Sequence, residues 1–387
     1  MKKRITILGS TGSIGLSTLK IIDKKKNYFF TNLLSANKNF KKICEQIYKY
    51  RPKIFVITDK RIFKKVHSKF RKKNVKIYNN FEDVNFIKND ITISAIPGIA
   101  GLEPTIKMIK TSKKMLIANK ESIVCGWNLI KKEAKKYKSR IIPVDSEHFS
   151  ILKLIKNYKL SEINKVYLTA SGGPFLNFKK NQLKDIKPKD ALKHPTWKMG
   201  RKVSIDSATL VNKMLEIIEA QKIFNLPDDK LEILIHPESL VHAVIDFKNG
   251  LKKFIYHDTS MIIPLANAIF DENFNIEFFY NKKRMSSIES LRFERVDKKI
   301  FPIIKIKKRL NEFPSTPIII NASNEILVDQ FLNKKLPFLS IPKIIMSILS
   351  DRNYKKYAIR IPKNISQINI IDNWAKTTTM KKIRSIK

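Results

Sequence analysis

The chain has 387 residues, 43% of them hydrophobic, which is room for two or three domains with a sizeable core. No run approaches the ~18 apolar residues of a membrane span, and the two cysteines, Cys44 and Cys125, exclude a disulfide framework. Its 77 Lys and Arg against 34 Asp and Glu give a formal charge of +43, which would attract nucleic acid or anionic surfaces, but the lysines are scattered and no recognition motif accompanies them, so the charge reads first as compositional drift that still steers phosphorylated substrates.

Met1-Lys2-Lys3-Arg4-Ile5 enters a strand within a few residues, which leaves no room for a signal or transit peptide; a cytoplasmic protein is expected. Short apolar runs at 5–8, 30–34, 54–57, 91–95, 115–118 and 141–144 predict buried strands, and amphipathic segments such as 40–50 and 105–110 predict helices between them. That alternation belongs to parallel β-α units.

The first strand runs into Gly9-Ser10-Thr11-Gly12-Ser13-Ile14-Gly15, which opens a helix. Glycines there let the backbone approach a pyrophosphate, and the helix N-terminus supplies amides and a favourable dipole. The spacing is G-x-x-G-x-x-G rather than the usual dinucleotide pattern, and a ligand-free strand-to-helix turn is the competing reading. The second strand ends in Ser35-Ala36-Asn37-Lys38-Asn39. It lacks the acid that holds an NAD ribose, and its lysine and amides suit the 2′-phosphate of NADP(H), unless Lys38 is one more surface lysine.

Asn119-Lys120-Glu121-Ser122 follows the strand at 115–118 and places a lysine at the same sheet edge. Asp145-Ser146-Glu147-His148 follows the strand at 141–144. If the strand geometry persists, Asp145 and Glu147 face one side and need a cation between them, with oxygen ligands favouring Mg²⁺ or Mn²⁺; otherwise Asp145 or Ser146 caps the next helix. Ser171-Gly172-Gly173-Pro174 ends a strand at 166–170 and can line an anion pocket. His194-Pro195-Thr196-Trp197-Lys198-Met199-Gly200 closes a polar, lysine-rich stretch that reads as a mobile lid, with Trp197 as its closing side chain or else a structural one.

A long helix is predicted at 208–224, capped by Asp206 or Ser207. On it Asn212, Lys213 and Glu216 share one flank, so that Ser207, Asn212 and Lys213 grip a phosphate while Glu216 completes a metal site; the plainer reading is a surface Lys213–Glu216 pair. Strands at 231–235 and 241–247 suggest an antiparallel α+β platform, 271–289 a polar linker, and helices at 318–332, 341–349 and 365–382 a small C-terminal domain.

Taken together, GSTGSIG, ANKES, PVDSEH, SGGPF, HPTWKMGRKVSIDSATLVNK, IHPES and NASNE resemble the 1-deoxy-D-xylulose 5-phosphate reductoisomerase family, in register from residue 4 to about 250 and again near 321–325. The resemblance implies an α/β protein with a Rossmann-like NADPH-binding domain (1–145), a central α+β catalytic domain (146–270), a linker (271–296) and a C-terminal helical domain (297–387). It implies NADPH- and Mg²⁺- or Mn²⁺-dependent conversion of the sugar phosphate to 2-C-methyl-D-erythritol 4-phosphate, the committed step of the non-mevalonate isoprenoid pathway, by a cytoplasmic homodimer. It places the metal on Asp145, Glu147 and Glu216, and the substrate on Lys120, Ser146, Glu147, Ser171, His194, Ser207, Asn212, Lys213 and Glu216. It places the cofactor on Thr11, Gly12, Ser13, Ile14, Asn37, Lys38, Asn39, Asn119, Glu121 and Gly200. Catalysis then falls to Lys120, Asp145, Glu147 and Glu216.

Three features depart from the family pattern: Met214, where glycine is common; Phe149, where a small or polar residue is usual; and the segment 256–262. Two rival readings are another NADP-dependent dehydrogenase with Cys125 as nucleophile, and a basic nucleic-acid-binding protein. Cys125 lies in an apolar run, which suits a buried hydrophobe better than a nucleophile.

Overall fold

The computed structural model describes residues 2–84, 88–271, 273–279 and 290–385. In chain order it begins β1 (Lys3–Leu8), α1 (Ser13–Lys24), β2 (Phe29–Ala36), α2 (Phe40–Tyr50), β3 (Ile54–Ile57), α3 (Lys60–Phe70), β4 (Lys76–Tyr78), β5 (Asn89–Ser94), α4 (Leu102–Ile109), β6 (Ser112–Ile117), α5 (Lys120–Tyr137) and β7 (Arg140–Pro143). The seven strands form one parallel sheet in the order β4-β3-β2-β1-β5-β6-β7. Strands buried on both faces carry continuous apolar runs, as parallel sheets demand; β3 is buried at all four positions. Strand order reverses beside β1, so the glycine-rich turn lies at the switch point where open α/β sheets take ligands.

The chain continues through α6 (Ser146–Ile155), β8 (Ile163–Ala170), α7 (Pro188–Ala191), α8 (Arg201–Ala208), α9 (Val211–Phe224), β9 (Leu231–Ile235), β10 (Val241–Phe247), β11 (Lys252–Tyr256), α10 (Ile262–Phe270), β12 (Glu294–Arg295), α11 (Thr316–Leu332), α12 (Ser340–Leu349), α13 (Tyr354–Ala358) and α14 (Ile365–Arg384). Two compact units result. One comprises Met1–Ser122, Asn128–Asp145 and Met261–Ser286; the other comprises Ile123–Trp127, Ser146–Ser260 and Ser287–Lys387.

The second unit is built on a five-stranded sheet, β11-β10-β8-β9-β12. The antiparallel expectation holds for β10 with β8 and β11, but β8 and β9 pair in parallel. The reason is the long helical connection between them, which carries the chain back to the start of the sheet. The C-terminal helices pack chiefly through α11, whose buried face includes Ile319, Leu327 and Phe331.

The single helix expected at 208–224 is instead two. Residues 201–208 form α8, and the chain turns at Leu210, whose φ of 64° is left-handed, before α9 starts. Asp206 and Ser207 therefore lie inside α8 and do not cap the following helix, whose N-cap residue, Leu210, makes no side-chain bond. Nothing in Ala208-Thr209-Leu210-Val211 signals a break; tertiary burial imposes it, because the Leu210 side chain is 1% exposed. Of the expected linker 271–296, residues 272 and 280–289 lie outside the described residues. The departures Met214 and Phe149 are both buried in the core.

Candidate active site

In the first unit, the turn after β1 is shaped by its glycines. Gly9 has φ +82°, and a Cβ there would sit 2.6 Å from the Ala95 carbonyl oxygen. Ser10 ties the turn to the end of β2: its amide donates to the Ser35 carbonyl (2.8 Å) and its hydroxyl to Gln46 Oε1 (2.6 Å). Gly12 is the N-cap of α1 and makes no side-chain cap, so the helix presents Ser13, Ile14 and Gly15 amides unspent on any capping side chain. That is the amide-lined cradle an anionic pyrophosphate needs. The turn thus fits the phosphates of a dinucleotide, with Thr11 beside it.

Beyond β2, Asn37 and Lys38 are exposed. Asn37 donates to Thr58 Oγ1 (2.9 Å), and Asn39 spends its side-chain oxygen capping α2 (3.1 Å from the Lys42 nitrogen). Asn119 caps α5 by accepting from the Ser122 amide (2.7 Å), while its amide group donates to the Ile96 and Gly98 carbonyls. Lys120 and Glu121 thereby begin a helix whose start is fixed from both sides; Glu121 is buried. Lys120 Nζ lies 2.8 Å from Asp145 Oδ2, just past β7. Gly200, the remaining cofactor candidate, belongs to the second unit, where it N-caps α8.

The second unit gathers the phosphate candidates. Ser171 follows β8, and its Oγ lies 2.9 Å from His194 Nε2 and accepts the Gly173 amide at 3.0 Å. His194 Nδ1 accepts the amides of Trp197 (3.0 Å) and Thr196 (3.3 Å). A nitrogen that accepts carries no proton, so the ring hydrogen sits on Nε2 and points to Ser171. Burial, helped by the nearby Lys213 charge, pushes His194 down to about 4, which keeps it neutral at physiological pH. Gly173 has φ +63°, and a Cβ there would lie 3.5 Å from the Ser207 carbonyl oxygen and 3.2 Å from Ala208 Cα. The serine-glycine turn and the end of α8 are therefore in contact.

In the first two turns of α9 stand Asn212, Lys213 and Glu216. Glu147, in the first turn of α6, and Glu216 offer oxygens within 4.8 Å of each other. Lys213 Nζ bonds both, 2.5 Å from Glu216 Oε2, and Asn212 donates to the other Glu216 oxygen. Ser146 Oγ donates to Glu147 Oε2 (2.5 Å). Burial opposes charge on Lys213, yet the two carboxylates hold it above the ordinary lysine range. Lys213 and Glu216 are 5% and 1% exposed, so they are no surface pair. Oxygen-only donors of this kind suit Mg²⁺ or Mn²⁺, and Asp145 precedes Glu147 by two positions in the chain.

Sequence reasoning missed several partners. Glu219, 1% exposed, lies 3.4 Å from His148 Nδ1, whose Nε2 contacts the Glu216 carbonyl (2.9 Å). Its spacing of three from Glu216 on one helix was the available signal. His242 stacks on His257 with ring centroids 3.9 Å apart, and Trp197 meets His242 edge-on at 5.8 Å. The polar Thr196–Ser239 link (3.2 Å) fixes the same turn. These contacts join distant segments and leave no local trace.

Three family models match the chain: 1-deoxy-D-xylulose 5-phosphate reductoisomerase over residues 5–126, its C-terminal domain over 141–224, and a DXP reductoisomerase C-terminal domain over 258–378. A 1-deoxy-D-xylulose 5-phosphate reductoisomerase of Pelagibacter ubique (strain HTCC1062) is 45% identical over 380 residues, covering 96% of this chain and 97% of the relative. That of Clostridium tetani (strain Massachusetts / E88) is 39% identical, covering 96% and 98%. A crystal structure of DOX-P reductoisomerase in complex with NADPH, fosmidomycin and magnesium superposes with a TM-score of 0.91 at 29% identity, covering 99% of each chain. The Zymomonas mobilis enzyme in complex with NADPH gives 0.87 at 29% identity, covering 100% of each.

Proposed function

We infer the chemistry of this chain from one premise: it belongs to the 1-deoxy-D-xylulose 5-phosphate reductoisomerase family. It is an NADPH- and divalent-metal-dependent enzyme that rearranges and reduces 1-deoxy-D-xylulose 5-phosphate to 2-C-methyl-D-erythritol 4-phosphate, the committed step of the non-mevalonate isoprenoid pathway. The observation that carries the residue roles below is the buried Glu147–Lys213–Glu216 cluster on α6 and α9, whose Lys213 charge also acts on His194 beside Ser171.

Asp145, Glu147 and Glu216 would hold Mg²⁺ or Mn²⁺. The turn Thr11-Gly12-Ser13-Ile14, with Asn37, Lys38, Asn39, Asn119, Glu121 and Gly200, would hold NADPH. When bound, the metal supplies Lewis-acid polarisation of the substrate oxygens and the nicotinamide supplies hydride.

The chain's own groups do the rest. Ser171, Ser207, Asn212 and Lys213 bind the substrate phosphate, and His194 adds a neutral Nε2–H donor whose direction is fixed by the Thr196 and Trp197 amides. Lys120 Nζ, charged beside Asp145, holds a proton near the sugar oxygens and polarises them. Ser146 and Glu147 orient the sugar hydroxyls. The turn at 194–200 excludes water when Trp197 covers the substrate. We further propose a cytoplasmic homodimer, with a cofactor domain at 1–145, a catalytic domain at 146–270, a linker at 271–296 and a helical domain at 297–387.

The test is NADPH oxidation by the purified protein with 1-deoxy-D-xylulose 5-phosphate, with and without Mn²⁺. Asp145→Asn is expected to abolish turnover and leave NADPH binding intact. Metal-independent turnover, or an active Asp145→Asn variant, overturns the assignment.

A further inference from the structure

The NASNE segment, Asn321 to Glu325, has no place in the chemistry above. It lies in the middle of α11, and Asn324 is 0% exposed there. A buried amide inside an apolar helix is costly unless its hydrogen bonds are made. Asn324 Nδ2 donates to Asp206 Oδ1 at 2.7 Å. Asp206 is itself 1% exposed, and its other oxygen accepts from Lys202 Nζ at 2.8 Å. One carboxylate on α8 is thus held by an ammonium from its own helix and an amide from α11.

We propose that Asn324 is a positioning residue for the substrate phosphate, acting through Asp206 on Ser207. This rests on the reading of Ser207 as a phosphate ligand. Asp206 and Ser207 are adjacent, so the carboxylate that α11 grips sets the rotation at which the serine hydroxyl leaves α8. The helix is only eight residues long and ends one residue before left-handed Leu210, where the Thr209 hydroxyl donates to the Ile205 and Asp206 carbonyls (3.0 and 3.2 Å); the Asp206 side chain is the link from this last turn to α11. The same turn packs closely on Gly173, where a Cβ would come within 3.2 Å of Ala208 Cα. Lys376 Nζ, on α14, pairs with Glu325 (3.0 Å) and Asp372 (2.8 Å) and ties α11 to the last helix. The C-terminal helices therefore take part in substrate binding without touching substrate.

The experiment compares steady-state constants of four folded variants with the parent enzyme. Asn324→Ala is expected to raise KM for 1-deoxy-D-xylulose 5-phosphate about tenfold, the factor of ~1.4 kcal/mol, and to weaken competitive inhibition by inorganic phosphate in parallel. Its kcat and its affinity for NADPH are expected to stay within about twofold. Asn324→Asp faces one buried carboxylate with another and is expected to be worse; the reciprocal pair D206N/N324D restores an amide-carboxylate bond with near-identical volume and is expected to recover KM. A merely structural role predicts loss of kcat, KM and folded yield together, without reciprocal recovery. If Asn324→Ala does not fold, the near-isosteric N324D and D206N/N324D decide alone. An unchanged KM in Asn324→Ala, or no recovery in the double variant, overturns the proposal. Ser207→Ala separates the premise: if it leaves KM unchanged, the phosphate reading of Ser207 fails and takes the proposal with it, whereas a raised KM beside an unaffected Asn324→Ala refutes the positioning role alone.

Discussion

Lys213 occupies the place of a cation, and replacing it by methionine tests that directly. Its ammonium lies between Glu147 and Glu216, whose oxygens are within 4.8 Å of one another. At an effective dielectric of about 20, each charge pair at ~4 Å is worth about 4 kcal/mol before desolvation. Breaking a buried pair by removing one partner costs about 3–5 kcal/mol, because the charge left behind is uncompensated. Here two like charges are left, so the metal-free Lys213→Met protein is expected to lose about 3–5 kcal/mol, moderated as one carboxylate takes up a proton. A divalent cation neutralises the same two groups, and at a concentration about a hundredfold above its Kd it returns about 2.7 kcal/mol. The measurement is urea unfolding followed by tryptophan fluorescence, with chelator and with Mn²⁺. Trp127, Trp197 and Trp374 all lie in the second unit, so the signal reports the unit that contains the cluster. The variant is expected to unfold at lower urea in chelator and to gain more from Mn²⁺ than the parent does. Equal stability in chelator, or an equal Mn²⁺ gain, refutes the reasoning.

Two further expectations come from backbone and burial. Leu210→Gly relieves a left-handed residue, a gain of about 1 kcal/mol, but empties a site where leucine is 1% exposed, a loss of about 2–5 kcal/mol. Net destabilisation of about 1–4 kcal/mol is expected in urea, and a stabilised variant would show that the burial does not hold the break. The pH dependence has a definite sign. Burial pushes His242 to about 3 and His194 to about 4, both below the ordinary 6.5. Between those values the unfolded chain binds protons that the folded chain refuses, so this stability is complete above pH 6.5 and declines as pH falls. The slope is at most ~1.4 kcal/mol per pH unit for each histidine, and less for half-buried His194 because of solvent screening. His242→Phe keeps the stack on His257 and removes the titration; its stability curve between pH 5 and 6.5 is expected to be flatter than the parent's, and an identical slope would contradict this account.

What the sequence determined is whatever depends on local spacing. Apolar runs bounded by turns specify the parallel strands, because a strand covered on both faces has to be apolar throughout. The Gly9–Gly15 turn is legible because only glycine tolerates the positive φ of Gly9, where a Cβ would come within 2.6 Å of the Ala95 carbonyl oxygen. Asn212, Lys213 and Glu216 share a flank by helical arithmetic alone, and the ordered motifs that mark the family stand in the sequence itself.

Tertiary structure decided the rest. It broke the helix at Leu210, where no glycine or proline announces a break, because burying that side chain outweighs the backbone strain. It turned Asp206 from an expected cap into the partner of Asn324, 118 residues away. It set Lys213 between Glu147 and Glu216, joining positions 66 residues apart, and it stacked His257, from a segment that departs from the family pattern, on His242. A pattern in sequence reports which face of an element is buried. Which distant group meets that face is fixed only when the elements pack, since the energy of a buried charge or amide depends on the partner that packing brings to it.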